Sequence, residues 1–403
     1  MKLIYTLVLF YFKLRMVRGE EGKSVTETRF KFLIQFMRVG GIPIFMETQT
    51  KLYKAYQLVL FTCTITTIIS SWLHLIYENT MNDALKIILL PIAFVFVAAY
   101  SIFIRFDIKS IEKLLKSTEN FTWEEMPSRD SKTGNLTAAG ALGIGTIYFK
   151  RVILGLAIYQ SLICVIQFFM RVMFFPSWYP YDACASLAFE LTFLSQLLGF
   201  VAQFVSYLSF FASYCLFVAI GCSQCDKINT SLLSLNHNHN STSENHQELC
   251  KCIILHQQVI ESMILRINFR NREIKSYKIT LVNHGLSDTS VVNLDDRFAA
   301  VQALATYVTM SISAFLVCWP GTKLSGKVES VKTAVYDVDW IGTPISFQKS
   351  LLFITKMADK PFKLTGGKIK PINNETLMDI LNNTYVMFTF LLNMQNKQSE
   401  KEV

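Results

Sequence analysis

The side chains best suited to a chemical task lie in the last long helical stretch, Ile372 to Met394. At 1.5 Å rise per residue this stretch is long enough to cross a bilayer. It is nevertheless rich in polar side chains, which are costly in hydrocarbon, so it is expected to face protein or water. Several copies around one axis would form the wall of an ion pore. Its polar residues are Asn373, Asn374, Glu375, Asp379, Asn382, Asn383, Thr384 and Asn393.

A second candidate is a group of cysteines and histidines between residues 222 and 256 that could in principle hold zinc. It contains Cys222-x-x-Cys225 and Cys250-x-Cys252, but its spacing matches no standard zinc pattern. We therefore predict no metal site and no cofactor. The apolar runs also lack a His/Asp/Glu cluster with ligand spacing and a nucleophile motif, so we predict that the chain is not an enzyme.

The composition indicates the class of protein that positions these residues. The chain has 403 residues, of which 51% are hydrophobic and 17% charged, whereas soluble domains carry about a quarter charged residues. This predicts an all-α, polytopic membrane protein surrounded by lipid. The net charge of +9 comes from Lys and Arg between the apolar runs, where the positive-inside rule expects them. No nucleic-acid partner is therefore predicted.

The first half of the chain contains four predicted spans. Gly40-Gly41-Ile42-Pro43 breaks a basic cytoplasmic arm before the first of them. Pro91 is expected to kink the second span. The fourth is too long for one simple crossing, so it should tilt or project beyond the bilayer. The spans are Tyr53 to Tyr77, Ala84 to Ile104, Val152 to Phe175 and Ala188 to Ile220.

The segments between the spans carry further predicted elements. Residues 108–116 have the apolar spacing of an amphipathic helix at the cytoplasmic face. Thr133 to Thr146 is Gly-rich and is expected to be a loop. Pro176 to Asp182, with its aromatics, is predicted to be an external turn. Glu248 to Ile267 is predicted to be a helix whose apolar stripe is Ile253, Ile254, Val259, Ile260, Met263 and Ile264.

The C-terminal third does not give a consistent count of spans. Phe298 to Trp319 is a clear span that Pro320-Gly321 is expected to end, and Ile345 to Met357 is a short amphipathic helix. The flanking segments 221–297 and 322–371 are both basic and should both be cytoplasmic, although one crossing separates them. Residues 268–297 contain no apolar run long enough to span. Our hypothesis is a variant, or a faulty gene model, that lacks a span here.

The sequence resembles the insect odorant receptor family over roughly residues 30–395, apart from that interval. The resemblance is most specific near the C-terminus, where several short motifs follow one another in the family's order. Earlier matches are Trp178-Tyr179-Pro180, Leu249 to His256 and Cys318-Trp319-Pro320-Gly321. The C-terminal motifs are Tyr336 with Trp340, Lys360-Pro361 through Gly366-Gly367, Thr376-Leu377 to Ile380-Leu381, and Thr384 to Leu392.

This resemblance implies a seven-span fold with its N-terminus inside, and here a fifth span that is degenerate or missing. It implies an odorant-binding subunit of a heterotetrameric, ligand-gated cation channel, formed with the family's co-receptor in the plasma membrane of olfactory sensory neurons. Its small volatile ligand would enter a pocket in the outer half of the second, third, fourth and sixth spans. The implied segments are the N-terminal cytoplasmic segment 1–52, the ligand-binding bundle of spans 1–4 at 53–220, the cytoplasmic anchor segment 221–297 with the doubtful fifth span, the sixth span with an anchor helix at 298–371, the pore helix 372–394 and the tail 395–403.

The resemblance also implies positions for the gate and the ligand pocket. The narrow hydrophobic gate falls on Phe390, with Met394 one turn beyond it and Asn393 beside it, since residues four apart share a helix face. In the inferred topology, the outer halves of the spans hold aromatics and few polar groups, which suits volatile ligands. The pocket candidates are Gln167, Phe168, Met173, Phe193, Gln196 and Phe200.

Two other receptor classes remain as alternatives. A gustatory receptor of the same superfamily would carry Gln-Phe where Leu391-Leu392 stand, five residues beyond Thr384-Tyr385. A G-protein-coupled-type receptor would carry Asn-Pro-x-x-Tyr in its last span, whereas Asn382-Asn383-Thr384-Tyr385 has no proline. Both motifs favour the odorant receptor.

Overall fold

A computed structural model describes most of the chain and divides it into two compact units. Unit 1 combines Met1–His74, Val97–Thr122 and Arg171–Phe210, and unit 2 combines Leu75–Phe96, Trp123–Met170 and Phe211–Val403. The described residues are 30–46, 48–77, 89–106, 108–117, 138–183, 185–235, 245–254, 256–257, 297–358, 365–366, 370–383, 385, 386, 389 and 393. The interval 268–297, where a fifth span was in question, therefore lies outside them apart from its last residue.

Apolar helices account for the first four predicted spans. Two helices are short: α1 is Lys31–Val39 and α4 is Ile108–Ser117. The four longer helices are α2, Lys51–Tyr77; α3, Leu89–Phe106; α5, Ala138–Phe169; and α6, Ser186–Ser234. Within the described residues, α2 and α6 are long and apolar enough to cross a bilayer. The 49 residues of α6 correspond to about 73 Å of helix, against a hydrocarbon core of roughly 30 Å. The prediction that the fourth span projects beyond the bilayer agrees with this length.

In unit 1, the glycine turn after α1 is held by side chains from the next helix. Gly41 has φ +74°, a conformation that glycine adopts without strain. The hydroxyl groups of Tyr53 and Tyr56 donate to the carbonyls of Arg38 and Val39 at 2.9 and 2.6 Å. Because the last carbonyls of a helix lack intrahelical donors, these tyrosines cap α1. The predicted break at Gly40-Gly41 is confirmed.

The amphipathic helix predicted after the second span is α4. Ile111 and Leu115 are buried, and they lie four residues apart on one face. The carboxylate of Glu112 accepts the backbone N–H of Phe45 at 2.6 Å, and the Lys116 ammonium lies 5.8 Å from the centre of the Phe45 ring. Helix α4 is therefore fixed against the segment that follows α1.

Helices α2 and α6 approach each other closely at Gly199. A Cβ atom added there would lie 2.8 Å from Thr67 Oγ1 and 2.9 Å from the Cys63 carbonyl oxygen. Small residues allow the backbones of membrane helices to approach to this distance. The hydroxyl of Thr67 itself donates to that same Cys63 carbonyl at 2.7 Å.

The loop predicted at Thr133 to Thr146 was wrong from Ala138 onward, and the third span was predicted to end too late. Helix α5 begins at Ala138 and ends at Phe169 rather than Phe175. The glycines near its start are interleaved with alanine and leucine, strong helix formers that offset the weak helix propensity of glycine. Beyond its end, Arg171 has φ +52°, which is incompatible with a continuing right-handed helix.

In unit 2, the C-terminal end of α6 contacts α7, Arg297–Tyr336, and a further helix is formed by residues 245–254. Asn229 Nδ2 donates to Ser330 Oγ at 2.8 Å, and Lys327 pairs with Asp226 at 2.6 Å. On the 245–254 helix and just beyond it, the buried residues are Leu249, Cys252 and His256. The predicted stripe was wrong at Ile254, whose side chain is exposed, and its members from Val259 onward lie outside the described residues.

The expectation that Pro320-Gly321 ends the sixth span was also wrong, because α7 continues through both residues to Tyr336. Beyond it, α8 is Ile345–Ala358, as predicted, with Phe347, Leu351 and Ile354 buried. A short antiparallel pair joins β1, Thr365–Gly366, to β2, Lys370–Pro371. The last helix begins at residue 374, and residues 374–383, 385, 386, 389 and 393 are helical.

Candidate functional site

An aromatic cluster in unit 1 contains two of the predicted pocket residues. The ring of Phe174 lies 5.9 Å from that of Phe193 and 5.3 Å from that of Phe200, both edge-on. Phe175 and Phe204 extend the cluster, each 5.7 Å from Phe200. Such pairs bury large apolar areas in preferred ring geometries. The cluster offers an apolar, aromatic environment between α6 and the segment after α5.

Gln196, the third pocket candidate on α6, forms the main polar contact of this region. Its side chain is 0% exposed. Nε2 lies 3.3 Å from the Phe175 carbonyl, 3.0 Å from Ser177 Oγ and 3.1 Å from the Tyr179 hydroxyl, while Oε1 accepts the Phe175 N–H at 3.1 Å. The amide is fully used by the protein, so it holds the external segment onto α6 rather than offering a free polar group.

The other three pocket candidates occupy different surroundings. Met173 is half-buried in the segment after α5. Gln167 and Phe168 lie in the last turn of α5, in unit 2, where Phe168 is exposed and Gln167 is half-buried. Among the described residues, Gln167 Oε1 has no hydrogen-bond partner. The structure thus brings Phe193, Gln196 and Phe200 together in unit 1, and their role in ligand binding remains a prediction.

In unit 2, α7 passes through Pro320 without a break. Proline has no N–H, so the Leu316 carbonyl loses its intrahelical donor. Cys215 Sγ lies 3.9 Å from that carbonyl oxygen, and the hydroxyl of Tyr214 donates to the next carbonyl, that of Val317, at 2.6 Å. Neighbouring helices commonly satisfy backbone groups freed by proline in membrane helices. Two consecutive residues of α6 therefore stabilise α7 at its proline.

The residues just after this proline position the start of the last helix. A Cβ on Gly321 would lie 2.6 Å from the Ile372 carbonyl oxygen, so the two backbones are in direct contact. Thr322 Oγ1 accepts the N–H of Asn374 at 2.9 Å. Asn373 Oδ1 accepts the N–H of Thr376 at 2.9 Å, which is the bond of an N-cap. We name the set Tyr214, Val317, Gly321, Thr322, Ile372, Asn373 and Asn374 the helix-start junction.

The last helix is largely uncovered within this chain. Of its described residues, Ile380 alone is buried. Of the predicted gate residues, Asn393 is helical and exposed, whereas Phe390 and Met394 lie outside the described residues. The gate therefore remains a prediction. The exposed polar residues of the helix are Asn374, Glu375, Asp379, Asn382, Asn383 and Asn393.

The cysteines and histidines considered for zinc do not form a metal site in the described part of the chain, where no three His, Cys, Asp or Glu side chains come together. Burial, with the nearby Asp226 charge, raises the pKa of Cys222 to about 12. Burial likewise raises the pKa of Cys252 to about 11. Burial thus favours the protonated form of both thiols.

We predict that Tyr214→Phe weakens the helix-start junction measurably. The variant removes the hydroxyl that donates to Val317 and keeps the ring, so the free energy of unfolding should fall by about 1 kcal/mol. The melting temperature of detergent-solubilised protein measures this. Tyr159→Phe is the matched control, because Tyr159 is exposed on α5. Equal melting temperatures for the two variants would contradict the prediction.

Sequence reasoning named Gly321, Ile372, Asn373 and Asn374 but did not identify Tyr214, Val317 and Thr322, nor the contacts that join the helix-start junction. The contact between Tyr214 and Val317 joins positions 103 apart in sequence, which no local pattern reveals. Pro320-Gly321-Thr322 was the available signal, because a proline within an apolar helix frees a carbonyl that a neighbour must satisfy. The sequence prediction treated the same motif as a helix end.

Known proteins resemble this chain in both sequence and fold. A family model described as 7tm Odorant receptor matches residues 79–385. Odorant receptor 10 of Aedes albopictus is 28% identical over 107 residues, 26% of this chain and 28% of that protein. Odorant receptor 98a of Drosophila melanogaster is 24% identical over 152 residues, 38% of each chain. These alignments thus span well under half the length of either relative.

Solved structures extend the likeness in fold to nearly the whole chain. The insect olfactory receptor OR5 from Machilis hrabei, solved in complex with eugenol, superposes with a TM-score of 0.74 at 14% identity, covering 95% of this chain and 99% of that one. Without eugenol the TM-score is 0.73. The helices described here therefore take the seven-span olfactory receptor fold. With the family model matched across most of its length, the chain belongs to the 7tm odorant receptor family.

Proposed function

We propose that this chain is the odorant-binding subunit of a heteromeric, ligand-gated cation channel, completed to a tetramer by the family's co-receptor. Three findings support the proposal: membership of the odorant receptor family, the olfactory receptor fold, and a polar last helix that this chain leaves uncovered. The site of action proposed for it is the plasma membrane of olfactory sensory neurons.

The observation that carries the proposal is the exposure of the last helix. Asp379, Asn382 and Asn383 are exposed on it, although a helix of this kind in a bilayer cannot present such groups to lipid without a large cost. Neighbouring subunits and water would cover them in an oligomer with a central pathway. A position beside that pathway accounts for the exposed polar side chains of the last helix better than packing against the rest of one chain does.

The proposed gate lies further along the same helix, at Phe390 and Met394, with Asn393 beside them. Rings of apolar side chains close pores by excluding water. Asn393 is helical and exposed, which is compatible with a position on the conduction pathway. Residues four apart share one helix face, so Phe390 and Met394 would narrow the pathway together.

The proposed ligand is a small volatile compound bound near the aromatic cluster of unit 1. Phe174, Phe193 and Phe200 form edge-on pairs there, which suits apolar and aromatic ligands. The Machilis hrabei receptor was solved with eugenol, an aromatic volatile, so eugenol belongs in the first set of compounds applied to this chain.

Whole-cell recording tests the proposal directly. The chain and the co-receptor are expressed together in a cell line, and a mixed odorant panel that includes eugenol is applied. A C-terminal tag is labelled on intact cells in the same experiment. We expect an odorant-evoked cation current and an external tag, with no such current from the co-receptor alone.

Two outcomes would contradict the proposal. A labelled surface receptor that gives no current with any odorant would argue against a channel subunit. A tag accessible only after permeabilisation would place the C-terminus inside, as a G-protein-coupled-type receptor requires. Sequencing the transcript across residues 268–297 separately tests the gene-model hypothesis, which a clean read of the same segment would reject.

A further inference from the structure

One face of α6 in unit 1 is polar along most of its membrane-spanning length. Its members recur three or four residues apart, so they lie on the same side of the helix. All of them are buried. We call the set Thr192, Gln196, Gly199, Gln203 and Ser206 the polar face.

The polar face is paired within the protein at nearly every level. Thr192 Oγ1 lies 2.8 Å from the Tyr181 hydroxyl, and the bonds of Gln196 are described above. Ser206 Oγ donates to the Ala202 carbonyl at 2.8 Å and lies 3.2 Å from Ser101 Oγ. Buried polar groups in folded proteins are nearly always satisfied in this way.

Gln203 is the exception on this face. Its side chain is 4% exposed, yet among the described residues neither Oε1 nor Nε2 has a hydrogen-bond partner. Burying an amide without a partner costs a substantial part of the stability of a fold. A buried amide of this kind is therefore expected to have a partner that is not part of the chain.

The surroundings of Gln203 can be located from the residues one helical turn before it and one turn after it on the polar face. Gly199, one turn outward, contacts Cys63 and Thr67 of α2, and Ser206, one turn inward, meets Ser101 of α3. None of these side chains carries a formal charge, so the surroundings suit a neutral ligand. Two members of the aromatic cluster are close to Gln203 in sequence: Phe200 lies three residues before it and Phe204 one residue after it.

We propose that the Gln203 amide is the polar contact that selects oxygenated volatiles, with a hydroxyl or carbonyl group, over hydrocarbons of the same shape. An amide can donate to a carbonyl and can both donate to and accept from a hydroxyl. A structural water is the competing occupant; it predicts the same shift, or none, for both members of each ligand pair described below. This inference rests on the proposed function.

Matched ligand pairs test the inference. The receptor is expressed with the co-receptor, and dose–response curves are recorded for 4-ethylphenol against ethylbenzene and for 1-octanol against octane. In Gln203→Leu and in Gln203→Met, the half-maximal concentration of the oxygenated member should rise about tenfold. The response to the hydrocarbon member should stay within about twofold, because only the amide is lost.

A matched control separates ligand contact from folding. Gln196→Leu removes an amide from the same face, but that amide bonds the external segment, so it should lower surface label and all responses together. Replacing an unpartnered buried amide by an apolar side chain does not strand any protein group, so both Gln203 variants should reach the surface. Surface labelling of the same cells checks this.

The outcomes separate this inference from the function on which it rests. Equal shifts for both members of a pair in the Gln203 variants, or no shift at all, would overturn it. A wild-type receptor that responds only to hydrocarbons would overturn it as well. A surface-labelled wild type that is silent to every odorant would instead contradict the proposed function itself.

Discussion

Replacing Gly321 by alanine should abolish most of the odorant-evoked current while leaving the chain at the cell surface. The new Cβ would lie 2.6 Å from the carbonyl oxygen of Ile372 and 3.1 Å from its Cγ2, so the backbone of residue 372 has to move. Ile372 directly precedes the N-cap Asn373. The start of the proposed pore helix must therefore move with it.

The expected size of the effect follows from the cost of such overpacking, about 1–3 kcal/mol. If that cost falls on one of the two gating states, the equilibrium between them changes by about tenfold or more. Maximal current per labelled receptor, recorded with a saturating odorant, measures the change.

Gly326→Ala is the matched control for this variant. It introduces the same atom on the same helix, but nothing lies within 4 Å of its Cβ position. The control should conduct like the wild type. Currents of equal size from the two variants would show that the contact between Gly321 and Ile372 has no part in gating.

The second large effect is expected from Gln196→Leu, which should prevent most of the chain from reaching the surface. The variant strands the Phe175 N–H and removes the amide that donates to the Ser177 and Tyr179 hydroxyl oxygens. Each stranded buried group costs about 1–3 kcal/mol. The two hydroxyls are only half-buried and can regain water, so we expect a total loss of about 3 kcal/mol.

Surface label of a C-terminal tag, at normal and at reduced culture temperature, measures this loss. Gln348→Leu on α8 is the control, since Gln348 makes a single recorded side-chain bond, to the Thr343 carbonyl at 2.9 Å. Normal surface label for Gln196→Leu would contradict its role in holding the external segment.

The helices of the membrane region could be predicted because their signal is local. Long apolar runs gave the first and fourth spans closely, and the basic segments between runs indicated which parts lie outside hydrocarbon. Proline and glycine gave the wrong ends for α7 and α5. Near Pro320, Cys215 of the neighbouring helix lies 3.9 Å from the Leu316 carbonyl that the proline leaves without its donor. At the start of α5, alanine and leucine offset the weak helix propensity of glycine.

The functional residues were harder to predict than the helices. Gln196 was chosen as a pocket residue because it is a polar side chain in an aromatic stretch, and that criterion is satisfied equally by Gln203. The two glutamines differ in their hydrogen bonds. Gln196 bonds residues that lie 17 to 21 positions away in sequence, whereas the Gln203 amide has no hydrogen-bond partner among the described residues. Composition and periodicity contain no information about such partners.

The contact between Asn229 and Ser330 has a consequence for the carbohydrate chemistry of this protein. Asn229-Thr230-Ser231 satisfies the sequence requirement for an N-linked glycan. The nitrogen that would carry the sugar is the one that donates to Ser330 Oγ at 2.8 Å. A sugar on that nitrogen would have to fit where α6 contacts α7, so the folded chain disfavours a glycan at Asn229 on whichever side of the membrane it lies.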